Sequence, residues 1–393
     1  MPSKLDPITQ AIRIQTPKTQ QKEHSTPLYL TSSFIFDEAE AMRAAFADET
    51  DDNIYSRFSN PNVDEFVDKM CALEGAEAGF ATSTGMSAIF SSMFALLKQG
   101  DHLICCSSVF GSTFTMVTKY LPRFGITATL VPAGDNAAWE AAVQPNSKMI
   151  YLETPTNPQL EILDLEWMGK FAKKHGLILN VDNCFATPLL QKPIDFGADL
   201  VVHSATKWID GQGRVLGGVI VGRADLVKEI YLFCRNTGPS MSAFNAWVLS
   251  KSLETLDVRM QRHCENALKI AETLQSNPNV TWVKYPFLPN HPQHEIAKKQ
   301  MKLGGGVLCL EIKGGLEAGR RFLDSLEMLS VTANLGDTRS IASHPASTTH
   351  SRLTEEQQLS VGITPGLIRI SAGLEKVDDI IADIVQALEK SAN

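Results

Sequence analysis

The run Leu200-Val-Val-His-Ser204-Ala-Thr206-Lys207 carries a strand-like series of apolar residues into two hydroxyls and an amine, and Lys207 has no charged neighbour between Asp199 and Asp210. Lysines are rarely buried without a partner, so one placed just past a buried strand either snorkels to the surface or carries out chemistry. Ser204 and Thr206 can each donate and accept hydrogen bonds and could hold a phosphate beside the amine. A lysine that condenses with a phosphate-bearing aldehyde needs this company, and pyridoxal 5′-phosphate is the usual such aldehyde. That chemistry further requires a phosphate cradle, a partner for a pyridinium nitrogen and a clamp for a carboxylate.

Candidates for each occur elsewhere. Ala81-Thr-Ser-Thr84-Gly85-Met86-Ser87 runs from a strand into a helix, and a glycine at that entry lets backbone N–H groups approach an anion. An ordinary capped helix start explains the same residues. Asp182 ends the apolar strand Leu177–Asp182, where a buried carboxylate needs a positive partner such as a protonated pyridine nitrogen; a loop-capping aspartate is the alternative. Arg369 lies inside Leu367-Ile-Arg-Ile-Ser and suits a bidentate carboxylate, either a substrate's or a structural partner's. Gly211-Gln-Gly213 lacks the third glycine of a dinucleotide fingerprint, and no G-x-x-x-x-G-K-S/T occurs, so a nicotinamide enzyme is disfavoured. His291 with His294, and His344 with His350, lack the cysteines or carboxylates of a metal site and read as loop and cap residues; no metal is expected.

These residues need elements to carry them. Residues 1 to about 60 are polar and broken by Pro2, Pro7, Pro17 and Pro27, and read as an arm lying on a second subunit. Val63, Phe66, Val67, Met70 and Leu73 recur at helical spacing after Asn60-Pro61, with Gly75 as terminator. Strands then alternate with helices: Ala78–Thr82, His102–Cys106, Ile126–Val131, Lys148–Glu153, Leu177–Asp182, Asp199–His203 and Gly217–Val221, with helices near Phe114–Leu121 and Leu165–His175. This predicts an α/β fold with a largely parallel sheet covered on both faces, and ligands gather beyond the carboxyl ends of such strands. Asn157, Asp182 and Lys207 each sit at or just after such an end, so they should point into one crevice. A long helical region, Phe244–Leu274, leads to a smaller α/β domain with strands at Val280–Lys284, Gly305–Ile312, Leu329–Ala333 and Leu367–Ser371. The division expected is an arm over 1–60, a cofactor-binding large domain over 61–252 and a small domain over 253–393.

The composition agrees with a globular chain of roughly two to three domains: 393 residues, 44% hydrophobic, with a net charge of −8 that gives no general nucleic-acid surface. Seven scattered cysteines form no C-x-x-C pair and suit a reducing cytoplasm. Met1–Ile8 lacks the apolar core of a signal peptide, and no segment approaches a membrane span.

The motifs Tyr55-Ser-Arg57, Thr84-Gly-Met86, Glu153-Thr-Pro-Thr-Asn157-Pro, Val181-Asp182-Asn183, His203-Ser-Ala-Thr-Lys207-Trp and Leu367-Ile-Arg369-Ile-Ser-Ala-Gly-Leu-Glu375 stand in one order along the chain. On them the chain resembles, over essentially its whole length, the pyridoxal-phosphate enzymes of cysteine and methionine metabolism. The resemblance implies the aspartate-aminotransferase-like fold type I and assembly as a homotetramer of two active dimers. It implies that Lys207 forms the imine with the cofactor, that Asp182 holds the pyridine nitrogen, and that Gly85, Met86, Ser204 and Thr206 bind the phosphate. Tyr55 and Arg57 would reach the phosphate of a neighbouring subunit. Asn157 would sit near the ring oxygen or the substrate carboxylate, and Arg369 would clamp the α-carboxylate. Phe110 stands where most of the family has a tyrosine stacked on the ring; it can stack but has no phenol to move a proton.

Two stretches narrow the activity. Asn334-Leu-Gly-Asp-Thr-Arg339 is similar to the sulfhydrylase version of a loop that reads Ser-Leu-Gly-Gly in lyases and cystathionine synthases, and Phe110 with Asn245-Ala-Trp247 resembles the O-succinylhomoserine sulfhydrylases. The implied reaction is γ-replacement, O-succinylhomoserine plus sulfide giving homocysteine and succinate. The alternatives are an O-acetylhomoserine sulfhydrylase, a cystathionine γ-synthase or γ-lyase, and a pyridoxal-phosphate protein without turnover. A succinyl carboxylate wants a cation, and Arg57, Arg214 and Arg339 are the candidates.

Overall fold

The computed structural model describes residues 5–348, 351, 354–360 and 362–392. Local signals build the helix Pro61–Glu74: the Asn60 side chain accepts the Asn62 N–H, Pro61 supplies the fixed φ of the first turn, and Gly75 closes the helix at φ 78°. Its face of Phe66, Met70 and Leu73 is buried, and the helix packs on two strands of the larger sheet.

That sheet contains β1 (Ala78–Thr82), β2 (His102–Cys106), β3 (Thr127–Val131), β4 (Ser147–Glu153), β5 (Ile178–Asp182), β6 (Leu200–Ser204) and β7 (Gly218–Gly222), in the order β1-β7-β6-β5-β4-β2-β3. β3, β2, β4, β5 and β6 run parallel, while β7 is antiparallel to both β6 and β1. Residues Leu179, Val181, Leu200, Val201 and Val202 are fully buried, as continuous apolar strands covered on both faces must be. The carboxyl ends of β4, β5 and β6 are therefore neighbours, with Glu153 opposite Asp182 and Asp182 opposite Val202.

The second sheet holds β8 (Val280–Lys284), β9 (Val307–Ile312), β10 (Ser330–Val331), β11 (Ile341–Ser343) and β12 (Leu367–Ser371), in the order β10-β11-β12-β9-β8. All of its pairs are antiparallel except β10 with β11. Leu308, Leu310, Ile368 and Ile370 form a separate core with Phe322, Ile380 and Ile384 from the helices Gly315–Asp324 and Val377–Ser391. Each such side chain contributes about 1.5–3 kcal/mol by leaving water.

Four local expectations differ from what is found. The region Phe114–Leu121 is a helix Gly111–Thr115 followed by a wide turn, Met116–Tyr120, and a tight one, Leu121–Phe124; Pro122 has no N–H with which to continue a regular helix. The long helix Phe244–Leu274 is two helices, Ala243–Leu253 and Leu256–Leu274. At the break the buried Arg259 bonds the freed Ser252 carbonyl through Nη2 (2.9 Å). The amino-terminal arm carries two short helices, Pro7–Arg13 and Ala39–Phe46; the first is capped by Asp6 and packs on Pro61–Glu74. The strand expected at Leu329–Ala333 is reduced to Ser330–Val331, and its neighbour β11 carries no long apolar run that would have marked it.

Candidate functional site

Lys207 follows β6 in a tight turn, with its N–H on the Ser204 carbonyl (3.2 Å) and its carbonyl accepting from Gly211 (2.8 Å). Arg259 secures this turn from the neighbouring helix, donating Nη1 to Trp208 O (2.7 Å) and Nη2 to Ile209 O (3.2 Å). The Lys207 side chain is half-buried and donates Nζ to Asn334 Oδ1 at 2.5 Å. Burial pulls its amine below the ordinary lysine range; Cys184 opposes that shift and the Arg369 charge adds to it. Asn334 comes from the loop after β10, and Gly336 makes the approach possible. It sits at φ +78°, and a Cβ there would lie 2.8 Å from the Lys207 carbonyl carbon.

Asp182 is 7% exposed. Its Oδ1 accepts the Cys184 N–H (3.0 Å) and its Oδ2 the Tyr151 hydroxyl (3.1 Å). Burial raises the carboxyl above its ordinary range, while the Cys184 N–H, the nearby His203 and Tyr151 pull it back. Neither hydrogen-bond partner carries positive charge, so the acid can still accept a cationic donor.

Arg369, on β12, is buried and reaches the same crevice from the second sheet. Its Nη1 donates to Asn157 Oδ1 (2.9 Å) and its Nη2 to Asn334 O (3.1 Å). Asn334 thus touches the amine with its side chain and the guanidinium with its backbone. No ion pair engages Arg369 among the described residues, which leaves it free to bind a carboxylate.

Thr84 caps the helix Gly85–Phe94 by accepting the Ser87 N–H. The N–H groups of Gly85 and Met86 precede the first intrahelical bond and point from the positive helix end. Gly85 is pressed against Ser204: a Cβ at Gly85 would meet Ser204 Cβ at 2.6 Å and Oγ at 2.8 Å. Thr206 Oγ1 lies within hydrogen-bonding distance of both Gly217 N (3.1 Å) and Gly217 O (3.3 Å), so its hydroxyl already has two backbone partners. Phe110 begins the helix Gly111–Thr115; its ring is half-exposed and its N–H donates to Glu153 Oε2 (2.9 Å). Thr113 in turn contacts Met86 Sδ (3.8 Å), joining this helix to the Gly85 entry.

A lysine, an unpaired buried acid, a helix entry beside Ser204 and an aromatic ring fit an aldehyde carrying a pyridinium and a phosphate. The structure joins Lys207 and Arg369 through Asn334, Asn157 to Arg369, and Gly85 to Ser204. It does not join Tyr55 or Arg57 to them: among the described residues neither has a hydrogen bond or ion pair with Lys207, Asp182 or Arg369. Both line a separate groove of 470 Å³ with Leu30 and Met241, and Arg57 donates to the Arg235 carbonyl. Of the three arginines considered for a distal carboxylate, Arg214 and Arg339 are engaged by Asp210 and Asp337. Arg57 has no carboxylate partner among the described residues.

His291 and His294 bond the carbonyls of Leu160 and Pro286, and His344 bonds Ser347 and the Pro365 carbonyl. His350, with Met1–Lys4, lies outside the described residues. In the sequence Asn334 marks only the start of a loop, and Tyr151, Glu153 and Arg259 stand out little. Their only signal is a polar residue inside or at the end of an apolar element, such as Tyr151 within Met149–Leu152.

Comparison with known proteins identifies the family. An O-succinylhomoserine sulfhydrylase of Pseudomonas aeruginosa is 47% identical over 380 residues, covering 97% of this chain and 94% of that one. An L-methionine gamma-lyase of Porphyromonas gingivalis is 44% identical over 368 residues, 93% of this chain and 92% of that one. A solved structure of a putative O-acetylhomoserine (thiol)-lyase from Campylobacter jejuni, which carries an N′-pyridoxyl-lysine monophosphate, superposes with a TM-score of 0.94 at 34% identity, over 98% of this chain and 100% of that one. Residues 8–389 match the family described as Cys/Met metabolism PLP-dependent enzyme, and the chain belongs to that family, with its α/β fold and its dependence on pyridoxal phosphate.

Proposed function

We propose that this enzyme carries out γ-replacement on O-succinylhomoserine with sulfide, giving homocysteine and succinate. The contact of Asn334 with both Lys207 and Arg369 carries the reading, because that residue opens the loop whose sequence separates the sulfhydrylase type from the lyase type. Similarity to O-succinylhomoserine sulfhydrylases, 47% and 42% identical, supports the choice; an L-methionine gamma-lyase at 44% stands between them and makes elimination the second reading.

Pyridoxal phosphate, when bound, supplies an aldehyde that condenses with amines and a protonated ring that draws electrons from the substrate's α-carbon. Asp182 holds the pyridine nitrogen and keeps it protonated, with Tyr151 fixing the acid's orientation. The N–H groups of Gly85 and Met86 and the Ser204 hydroxyl hold the phosphate, and Thr206 contributes by exchanging a Gly217 bond. Phe110 would lie against one face of the ring. Arg369 binds the substrate α-carboxylate with Asn157 beside it. Lys207 Nζ moves the protons at the substrate's α- and β-carbons; burial suits its amine to that work, and Phe110 has no phenol with which to share it. The acyloxy group leaves the γ-carbon and hydrosulfide takes its place.

Exposed Leu30, Ile35, Met42 and Phe46 on the arm, near Tyr55 and Arg57, support a second copy covering this surface and receiving Tyr55 and Arg57 at its phosphate. The proposed assembly is a tetramer of two such dimers, working in the cytoplasm; no helix among the described residues is long and apolar enough to cross a membrane.

Product identification tests the activity. O-succinylhomoserine and O-acetylhomoserine are each supplied with sulfide or with cysteine. Homocysteine from the succinyl ester and sulfide is the expected main product. Preference for the acetyl ester, cystathionine from cysteine, or ammonia release from methionine at a higher rate moves the enzyme to the corresponding relative. Cofactor binding without turnover of any of these refutes an enzymatic role at this site.

A further inference from the structure

Glu153 is a buried carboxyl to which the proposed reaction assigns no task. It ends β4 opposite Asp182 on β5, so two acids stand side by side on one strand face, 4% and 7% exposed. Burial, and then the Asp182 charge, push Glu153 well above the usual carboxylate range. Such a site is costly to keep unless its hydrogen bonds do something specific. The hydrogen bond leads to a residue assigned to the site: Glu153 Oε2 accepts the Phe110 N–H at 2.9 Å, while the nearby Asn157 N–H favours the charged form of the carboxyl. Arg369 lies close enough to favour its charged form.

Phe110 is the residue most in need of such a tie. It caps the five-residue helix Gly111–Thr115 with extended backbone angles (φ −49°, ψ 136°), and no side chain caps that end. Its ring is 45% exposed, so packing alone leaves it free to turn. The bond to Glu153 fastens this short helix to the rigid end of β4.

We propose that Glu153 is a positioning residue: by holding the Phe110 backbone to the end of β4, it sets the height and tilt of the aromatic ring over the cofactor held by Lys207 and Asp182. This rests on the cofactor site proposed above. Glu153 touches no reacting atom and acts through Phe110.

Four full-length holo-variants test it: Glu153→Gln, Glu153→Leu, Phe110→Ala, and Phe110→Ala with Glu153→Leu. The readouts are the visible-region circular dichroism of the bound cofactor and the Kd for pyridoxal phosphate, with far-ultraviolet dichroism as the check on folding. Glutamine keeps a carbonyl acceptor for the Phe110 N–H, so Glu153→Gln retains the visible signal and a Kd within about threefold of the native value. Glu153→Leu removes the acceptor, weakens the visible signal and raises Kd about tenfold, one hydrogen bond's worth. In the Phe110→Ala background the same change adds less than about threefold, because no ring is left to position. The proposal is overturned by a Glu153→Leu protein with native Kd and dichroism, by a Glu153→Gln protein as impaired as Glu153→Leu, or by an undiminished effect in the Phe110→Ala background. Should Glu153→Leu fail to fold, Glu153→Gln decides, since loss of the visible signal there overturns the anchor. Failure of the cofactor site is read separately in the native protein, as borohydride fixing pyridoxyl on a lysine other than Lys207.

Discussion

Replacing Asn334 isolates one contact, because Arg369 meets its backbone carbonyl while Lys207 meets its side chain. Asn334→Ala deletes the acceptor at 2.5 Å from Lys207 Nζ and leaves the guanidinium bond in place. A hydrogen bond to a charged partner contributes about 1.5–3 kcal/mol, and the half-buried setting favours the lower figure. The bond holds the ammonium more firmly than the neutral amine, so its loss lowers the amine's pKa; about 1.4 kcal/mol corresponds to one unit. Asn334→Asp places a carboxylate at the same spot and moves the amine the other way. The assay is the pH profile of kcat for γ-replacement, which reports groups in the enzyme–substrate complex. The acid-side midpoint moves down by about one unit in Asn334→Ala and up in Asn334→Asp, while KM changes little because Arg369 is untouched. Two midpoints that stay put, or that move in the same direction, refute the role given to Asn334.

Gly85→Ala forces a methyl within 2.6 Å of Ser204 Cβ, so thermal unfolding shows a loss of about 1–3 kcal/mol and cofactor affinity falls; an unchanged melt contradicts the tight approach. Asp182→Asn removes the charge proposed to hold the ring nitrogen while leaving a side chain for Tyr151 and Cys184 to contact. The loss of a buried ion pair, about 3–5 kcal/mol, appears in kcat rather than in folding, and a variant with native kcat excludes the pairing. Burial holds His291 down at about 4, against 6.5 for a free imidazole, with the Leu160 carbonyl pulling the other way. Its folded pKa is depressed, so its contribution of about 3 kcal/mol is fully present above pH 6.5 and lost as pH falls towards 4. Urea unfolding at pH 4.5 and 7 therefore shows a smaller acid loss for His291→Gln than for the native chain, and equal losses count against that burial.

The parts of the site legible in the sequence are those at strand ends. Ala78–Thr82, His102–Cys106 and Leu367–Ser371 fall where their β-branched and apolar runs predict, and a parallel sheet then makes neighbours of the strand that ends in Asp182 and the strand that leads to Lys207. Arg369 was legible because a guanidinium inside an apolar strand has few other uses. Asn334 was not, since its contact with Lys207 spans 127 residues and depends on Gly336 turning the loop. Glu153 is not legible as a positioning acid, because a strand-end carboxyl reveals its partner only when the register is known. The break between Leu253 and Leu256 was hidden because apolar spacing continues across it; the replacement bonds come from Arg259 to backbone carbonyls, which no pattern records.

The amine and acid at 207 and 182 hang from one sheet, the guanidinium at 369 from the other, and two asparagines, Asn157 and Asn334, span the gap. A ligand that grips all of them works as a clasp across two sheets that already share packing through Cys309 and Leu367. Its arrival stiffens the junction between the two sheets as well as filling a cleft.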